Sequence, residues 1–267
     1  MTDDESNRRT DDESNRRYVE ENRAHWDELA THHPDTDVYD VEAFLDGEST
    51  IRPLERDELD VEGRTMLHLQ CHFGMDTLSW VRDEGVSHAT GVDFSQTAIE
   101  TARDLRDRIG LTRDAVRFVE SDVYELDEKL SETFEIVFTS YGVLCWLPDL
   151  HEWAAVVADS LEDGGRFYIV DEHPIAGMLG FDSRPDDLRF AYPYFDDDPI
   201  TEDVDGSYAG SAFGLTHTRQ HQFSHSLGEL VTALASAGLS IEFLHEFEWS
   251  FYQRLPPMDV DERGAGG

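Results

Sequence analysis

Asp93 closes a short apolar run about twenty residues after Gly74, the glycine of the stretch Met66–Thr77 (MLHLQCHFGMDT), and a carboxylate at that spacing can accept both hydroxyls of a ribose. The stretch alternates around Leu67 and Leu69, breaks at Gly74, and continues as an amphipathic segment through Leu78, Trp80 and Val81 to Gly85. That pattern reads as strand, tight turn, helix. Such a turn sets backbone N–H groups and a helix N-terminus at the carboxyl edge of a sheet, where a polar or anionic ligand docks. Two strands, one turn and one acid point to a nucleoside-binding α/β domain. Further residues with chemical reach are the thiols Cys71 and Cys145 and the imidazoles His72, His151, His173 and His225.

The elements that must position these groups alternate along the chain. Strands are predicted over Arg64–Gln70, Ala89–Asp93, Ala115–Glu120, Phe134–Thr139 and Phe167–Val170. Helices are predicted over Met75–Glu84, from the Ser95 cap to Gly110, and over Trp153–Leu161, stopped by Gly164–Gly165. This βαβα order implies an α/β fold with a doubly wound, mainly parallel sheet. Residues 175–215 break the rhythm; their aromatic residues (Phe190, Tyr192, Tyr194, Phe195, Tyr208, Phe213) predict an ordered cap insertion before the sixth strand. A strand over Thr216–Phe223, a helix opened by the Ser226–Glu229 capping box, and a last strand over Ser240–His245 follow.

At the other end, residues 2–9 and 10–17 are one octapeptide, TDDESNRR, written twice. With no apolar residue to bury, residues 1–17 are expected to be a disordered tail. Tyr18, Val19, Asn22, Trp26 and Leu29 fall at helical spacing, so residues 18–60 read as an N-terminal helical lid, with Asn22 and Trp26 facing the site. His32–His33 before Pro34 is a helix stop, since no third ligand at a fixed spacing makes it a metal pair. Residues 61–250 form the main domain, with 175–215 as its cap, and 251–267 a tail. No metal site is expected.

Composition narrows the partners. The chain of 267 residues has 59 acidic and 21 basic residues, a formal net charge of −38, and Lys129 as its single lysine. With 39% hydrophobic and 11% aromatic residues it can still build a core. The acidic excess reads as a surface kept hydrated in high salt, hence a halophilic, cytoplasmic protein. No basic cluster suits a nucleic acid, and no apolar run approaches the roughly eighteen residues of a membrane span. Two cysteines are too few for a disulfide framework or a cysteine zinc site.

Taken together, MLHLQCHFGMDTLSW, GVDFSQTAIETAR, FVESDVYEL and the segment FEIVFTSYGVLCWLPDLHEWAAVVADSLEDGGRFYIVDEHP resemble the successive motifs of class I S-adenosylmethionine (SAM)-dependent methyltransferases. The later HQFSHSLGELVTALASAGLSIEFLHEF is similar to the C-terminal hairpin of a subgroup of small members. The resemblance implies a Rossmann-like seven-stranded sheet with an antiparallel edge strand, and SAM as cofactor. It implies cofactor contacts from Trp26, Gln70, Cys71, His72, Gly74, Asp93, Phe94, Asp122, Val123 and Ser140, with Asp93 on the ribose and Asp122 and Val123 at the adenine. Where the family pattern has acid-x-Gly-x-Gly-x-Gly, this chain has His68, Gln70, His72 and Gly74. Gln70 and His72 still offer polar side chains to the methionine end of the cofactor, and the lack of G-x-G-x-x-G disfavours hydride transfer.

In this architecture the tips of strands four and five flank the methyl group, so Tyr141 and His173 are the foremost candidates for moving a proton. Neither Asn/Asp-Pro-Pro-aromatic nor Pro-Cys follows strand four, which disfavours methylation of nucleic-acid bases. The expected reaction is methyl transfer to an O, N or S atom of a small molecule. A non-catalytic SAM-binding protein and a nucleic-acid or protein methyltransferase stay open as alternatives. If the acidic surface repels itself, the midpoint of thermal unfolding rises between dilute buffer and molar KCl; a midpoint that does not rise removes the halophilic reading.

Overall fold

Alternation along the first strand decides the layering. Met66 and His68 point to one face and Leu67 and Leu69 to the other, and none of the four is more than 2% exposed. A strand buried on both faces needs a layer against each. The computed structural model describes residues 3–180, 187–196, 198–252 and 258, with side chains from Glu13 onward. Its elements in chain order are α1 (Asp3–His32), α2 (Val41–Leu45), α3 (Pro53–Glu58), β1 (Thr65–Leu69), α4 (Met75–Arg82), β2 (His88–Asp93), α5 (Gln96–Arg108), β3 (Val116–Glu120), β4 (Phe134–Ser140), α6 (Leu150–Asp159), β5 (Leu161–Val170), α7 (Pro174–Gly177), β6 (Ile200–Asp203), β7 (Gly206–Ser207), β8 (Gly210–Ser211), β9 (Arg219–Gln222) and α8 (Leu227–Ser236).

The strands β1–β5 form one parallel sheet in the order β3-β2-β1-β4-β5, the Rossmann-like order that returns through the centre. On one face Met66 and Ile136 meet Trp80 and Leu78 of α4 and Ile99 and Leu105 of α5, with Phe44 of α2 behind them. On the other, Leu67, Leu69 and Val137 meet Trp153 and Val157 of α6 and Leu234 of α8. Two local signals act as predicted: Ser95 Oγ accepts from Ala98 N at 3.0 Å to open α5, and Ser226 accepts from Glu229 N to open α8; Asp149 likewise accepts from His151 and Glu152 to open α6, a cap not read from the sequence.

Three expectations are corrected. The central sheet has five strands among the described residues, not seven. Residues 219–222 do form a strand, but it pairs antiparallel with β6 of the insertion, Ile200 opposite Gln222. Its sequence, Arg-Gln-His-Gln, has no apolar face to lay on a sheet, and Asn22 of α1 accepts from His221 N at 2.7 Å and donates to His221 O at 2.8 Å. Residues 240–247 make no ladder with any of the described residues. They run past β5 across a cavity of about 1080 Å³, tied by side chains only: His245 Nδ1 to Glu58 at 2.7 Å and Glu246 to His173 Nε2 at 2.6 Å.

The third correction is at the start, where α1 begins at Asp3 and passes through the repeated octapeptide instead of starting near Tyr18. No glycine or proline interrupts residues 3–32, and Arg17–Glu21 pair one turn apart. The remaining insertion carries β6, β7 and β8; residues 181–186 and 197 of it lie outside the described residues.

Trp153 is wholly buried and meets Phe167 edge-to-face at 5.5 Å between centroids. Trp153→Ala is expected to remove about 3–5 kcal/mol of stability, measured as a lower denaturant midpoint at unchanged m-value.

Candidate active site

The loop leaving β1 repeats one backbone conformation at alternate residues: Gln70 has φ 53°, His72 φ 51° and Gly74 φ 74°. Only glycine adopts this left-handed region freely, and a non-glycine residue there costs about 1–2 kcal/mol. The loop holds it because its backbone is tied to β2. Cys71 N donates to Val92 O at 2.9 Å, and His72 N donates to Asp93 Oδ2 at 2.8 Å. At Gly74 a Cβ would lie 2.5 Å from the Phe118 ring, so no side chain fits. Gln70 Oε1 is buried with no hydrogen-bond partner among the described residues.

Asp93 itself is 7% exposed; its second oxygen accepts from Ser95 N at 2.9 Å. Burial pushes its carboxyl up to about 6, against the pull of those backbone donors. His72 N, Ser95 N and, least, Phe94 N take up part of its capacity of roughly four lone-pair positions, and the remainder is open to a ligand. Phe94 follows, half-buried. On the next strand over, Ser121 N donates to Asp93 O at 3.0 Å, which brings Asp122 and the buried Val123 level with Asp93. Asp122 caps the 3₁₀ turn Val123–Glu128 through Tyr124 N at 3.1 Å. The adjacent ends of β1, β2 and β3 thus present, in a row, a strained loop, a buried acid and a capping acid.

The lid covers this row. Asp27 of α1 accepts from Ser95 Oγ at 2.7 Å and Thr97 N at 2.9 Å, pinning α1 to the start of α5. Glu28 accepts from the backbone of Thr216 and His217, so the same helix also grips the segment that leads from the insertion into β9. Trp26 then stands edge-on to His72, His33 and Trp146, with centroids 5.6, 5.8 and 5.2 Å away. Its indole Nε1 is buried without a partner among the described residues. His33, fully buried, bonds His72 Nε2 through Nδ1 at 2.9 Å and Ser207 Oγ through Nε2 at 2.8 Å. Burial lowers both imidazoles, His33 to about 4, so the pair is neutral at pH 7. Tyr39 and Tyr208 close the rim with their hydroxyls hydrogen-bonded.

At the tip of β4, Ser140 Oγ bonds Asp76 Oδ2 at 3.3 Å. Tyr141, at φ 21°, donates its hydroxyl to Glu55 Oε1. Asp171 of the β5 tip accepts from the backbone of Val143 at 3.1 Å and Leu144 at 2.9 Å, locking the two tips together. His173 is differently placed from the expectation for a base. Its Nδ1 accepts from Ile175 N at 3.1 Å and its Nε2 serves Glu246, so neither nitrogen is free to take a proton. Cys71 is buried, and burial holds its thiol far above the ordinary range, so it packs and does not attack. His68 is a core histidine, bonded to Thr77 at 2.8 Å and held neutral by burial, which lowers it to about 3.

Asp27, Tyr39, Asp76 and Glu55 escape the sequence reading, which takes His33 for a helix stop and Tyr208 for one of the aromatics of the insertion. One signal was available: Ile51, Glu55 and Leu59 recur at helical spacing and are 4%, 1% and 5% exposed, a carboxylate set in an apolar stripe. Among the described residues no cluster of His, Cys, Asp and Glu is arranged to hold a metal, and no helix is long and apolar enough to cross a membrane.

A family model described as a methyltransferase domain matches residues 67–167, the span from β1 to β5. Among solved structures, an S-adenosylmethionine-dependent methyltransferase from Mesorhizobium loti is 23% identical, with 76% of this chain and 86% of that chain covered, at a TM-score of 0.52. Another from Geobacter sulfurreducens, solved with S-adenosyl-L-homocysteine (SAH), is 22% identical over 48% of this chain and 53% of that one, at a TM-score of 0.37. No curated protein matches the chain. The sheet and its order are thus a Rossmann-like methyltransferase fold. The methyltransferase-domain match thus falls on residues 67–167, the span that carries the row of groups at the ends of β1, β2 and β3.

Glu55 binds its proton more tightly folded than unfolded: burial first, then Asp76, raises it from 4.5 to about 7. Its stabilising effect is therefore complete below pH 4.5 and is lost as pH rises through 7. Glu55→Gln is expected to melt above wild type at pH 8, by up to about 3 kcal/mol, with the gap closing by about pH 5. Thermal unfolding at both pH values checks the sign.

Proposed function

We propose that the chain transfers the methyl group of SAM to an O, N or S atom of a small molecule, with the cofactor lying along the ends of β1, β2 and β3. The observation that carries this reading is the row itself, a loop held in glycine-type conformation by the His72–Asp93 bond, beside a buried Asp93 with lone pairs to spare. Gln70 Oε1 and Trp26 Nε1, buried and without a partner among the described residues, fit a polar ligand there, since most buried polar groups in proteins are hydrogen-bonded.

When bound, the cofactor supplies an electrophilic methyl carbon on a sulfonium. The chain's residues do the rest. Asp93 accepts the ribose hydroxyls, and Asp122 and Val123 face the adenine, with Phe94 alongside. The loop Gln70–Gly74, with Cys71 and His72, surrounds the methionine end, and Asp76 in the first turn of α4 offers it a carboxylate. Trp26 and the rest of the lid exclude water, and Ser140 and Tyr141 border the methyl end. Alignment of nucleophile, methyl and leaving sulfur supplies most of the catalysis. Tyr141 is the better placed of the two candidates for moving a proton, because both ring nitrogens of His173 are occupied. The aromatic insertion and the absence of base-methylation motifs after β4 support a small-molecule acceptor.

Calorimetric titration with SAM and SAH in molar KCl tests the site. Wild type is expected to bind both, and Asp93→Ala to bind them about tenfold to a hundredfold more weakly, as for loss of hydrogen bonds to a charged group. No binding by folded wild type overturns the reading, and binding without turnover on any small-molecule panel leaves a SAM-binding protein.

A further inference from the structure

Glu55 has no part in holding the cofactor, yet its carboxylate is 1% exposed and stands beside the methyl end of the site. One oxygen accepts from the Tyr141 hydroxyl, and the other, Oε2, is buried without a partner among the described residues. The groups around it are few. From its own flank Arg52 lays its guanidinium over the Tyr141 ring at 5.4 Å and donates to Phe251 O at 3.2 Å. From α4 comes Asp76, which bonds Ser140 next to Tyr141. From β5 comes Tyr168, whose hydroxyl donates to Glu58 at 2.7 Å. Phe251 covers Tyr141 from the tail side, with ring centroids 4.5 Å apart. Tyr141 also lines the cavity that opens along β5 towards residues 239–249.

A carboxylate so enclosed ionises when positive charge arrives beside it and takes a proton when that charge leaves. Methyl transfer makes that change of charge, because the sulfonium of the donor becomes the neutral thioether of SAH. We propose that Glu55 receives the proton released in the transfer, through the hydroxyl of Tyr141, and is ionised with the donor bound but protonated with the product bound. The proposal rests on the SAM site argued above and extends it to a neutral acceptor that has a proton to lose: a hydroxyl or a thiol.

The step balances. The electron pair of the acceptor atom forms the bond to the methyl carbon, and the carbon–sulfur pair stays on sulfur. The acceptor's proton passes to the Tyr141 oxygen as Tyr141's own proton passes to Glu55 Oε1. A sulfonium and a carboxylate become two neutral groups, so no net charge is left in the dry site. Burial and Asp76 raise the Glu55 carboxyl while Tyr141 and Arg52 restrain it, leaving it at about 7, where either state is accessible. Since Glu55 acts through Tyr141, it is a positioning residue, and its signature is a count of protons, not a rate.

The test is calorimetric titration of the full chain with SAM and with SAH at pH 7 in molar KCl, repeated in buffers of different ionisation enthalpy to count protons exchanged. Wild type is expected to release more protons on binding SAM than on binding SAH, by a sizeable fraction of one. In Glu55→Gln, with both ligands still bound, that difference is expected to vanish. Equal counts for the two ligands in wild type, or a difference that persists in Glu55→Gln, overturns the assignment and leaves the cofactor site standing. Failure of folded wild type to bind either ligand overturns both. Should Glu55→Gln not fold, Tyr141→Phe serves: losing the donor to the ionised form moves the pH of greatest difference upward, and an unmoved maximum overturns the proposal.

Discussion

The hydrogen bond from His72 N–H to the Asp93 carboxylate joins the two signatures of the site. It holds the β1 loop in a conformation that Gln70 and His72 do not favour, and it spends part of the Asp93 carboxylate in doing so. With a glycine at those positions the loop would need less support. Here the side chains that replace glycine also serve the lid: His72 reaches His33 and packs against Trp26, Tyr39 and Phe73. The departure from the resembled pattern is thereby coupled to the N-terminal helix, which is itself pinned to α5 by Asp27 and to β9 and its approach by Asn22 and Glu28, while His33 bonds Ser207 of the insertion. Loop, lid and insertion form one connected hydrogen-bonded set.

What could be read from the sequence follows from how local each signal is. Gly74, Asp93 and Asp122 were legible because each sits at a strand end, where the strand period and a turn residue mark its place. The helix caps at Ser95 and Ser226 act over three residues and were legible for the same reason. His33 was not: its partners His72 and Ser207 lie 39 and 174 residues away, and nothing within one turn of His33 signals them. The same holds for Asp76 and Glu55, which meet the β4 tip only once the sheet is assembled. The segment 240–247 misled in the other direction. Its alternation Ile241, Phe243, His245, Phe247 has the period of a strand, but pairing needs a backbone partner as well as a pattern, and side-chain ties to Glu58 and His173 occupy it instead.

Charge acts on this fold in two separate regimes. The surface carries the bulk of a net charge of −38, and its repulsion is long-ranged, exposed and screened within a few ångströms at molar salt. The carboxylates Asp76, Asp93, Asp171 and Glu55 are raised by burial before any neighbour contributes, and salt does not restore the water that burial removes. Screening therefore acts on the surface charge and does not rewrite the protonation of the site. The surrounding negative field adds to burial in the same direction, since it too favours the protonated form of an interior acid. In a chain this acidic, a buried carboxylate near neutrality needs no special partner to hold a proton; it needs one to release it. At the β4 tip Tyr141 and Arg52 are the groups that favour release, and a cationic ligand arriving beside Asp76 acts in the same sense.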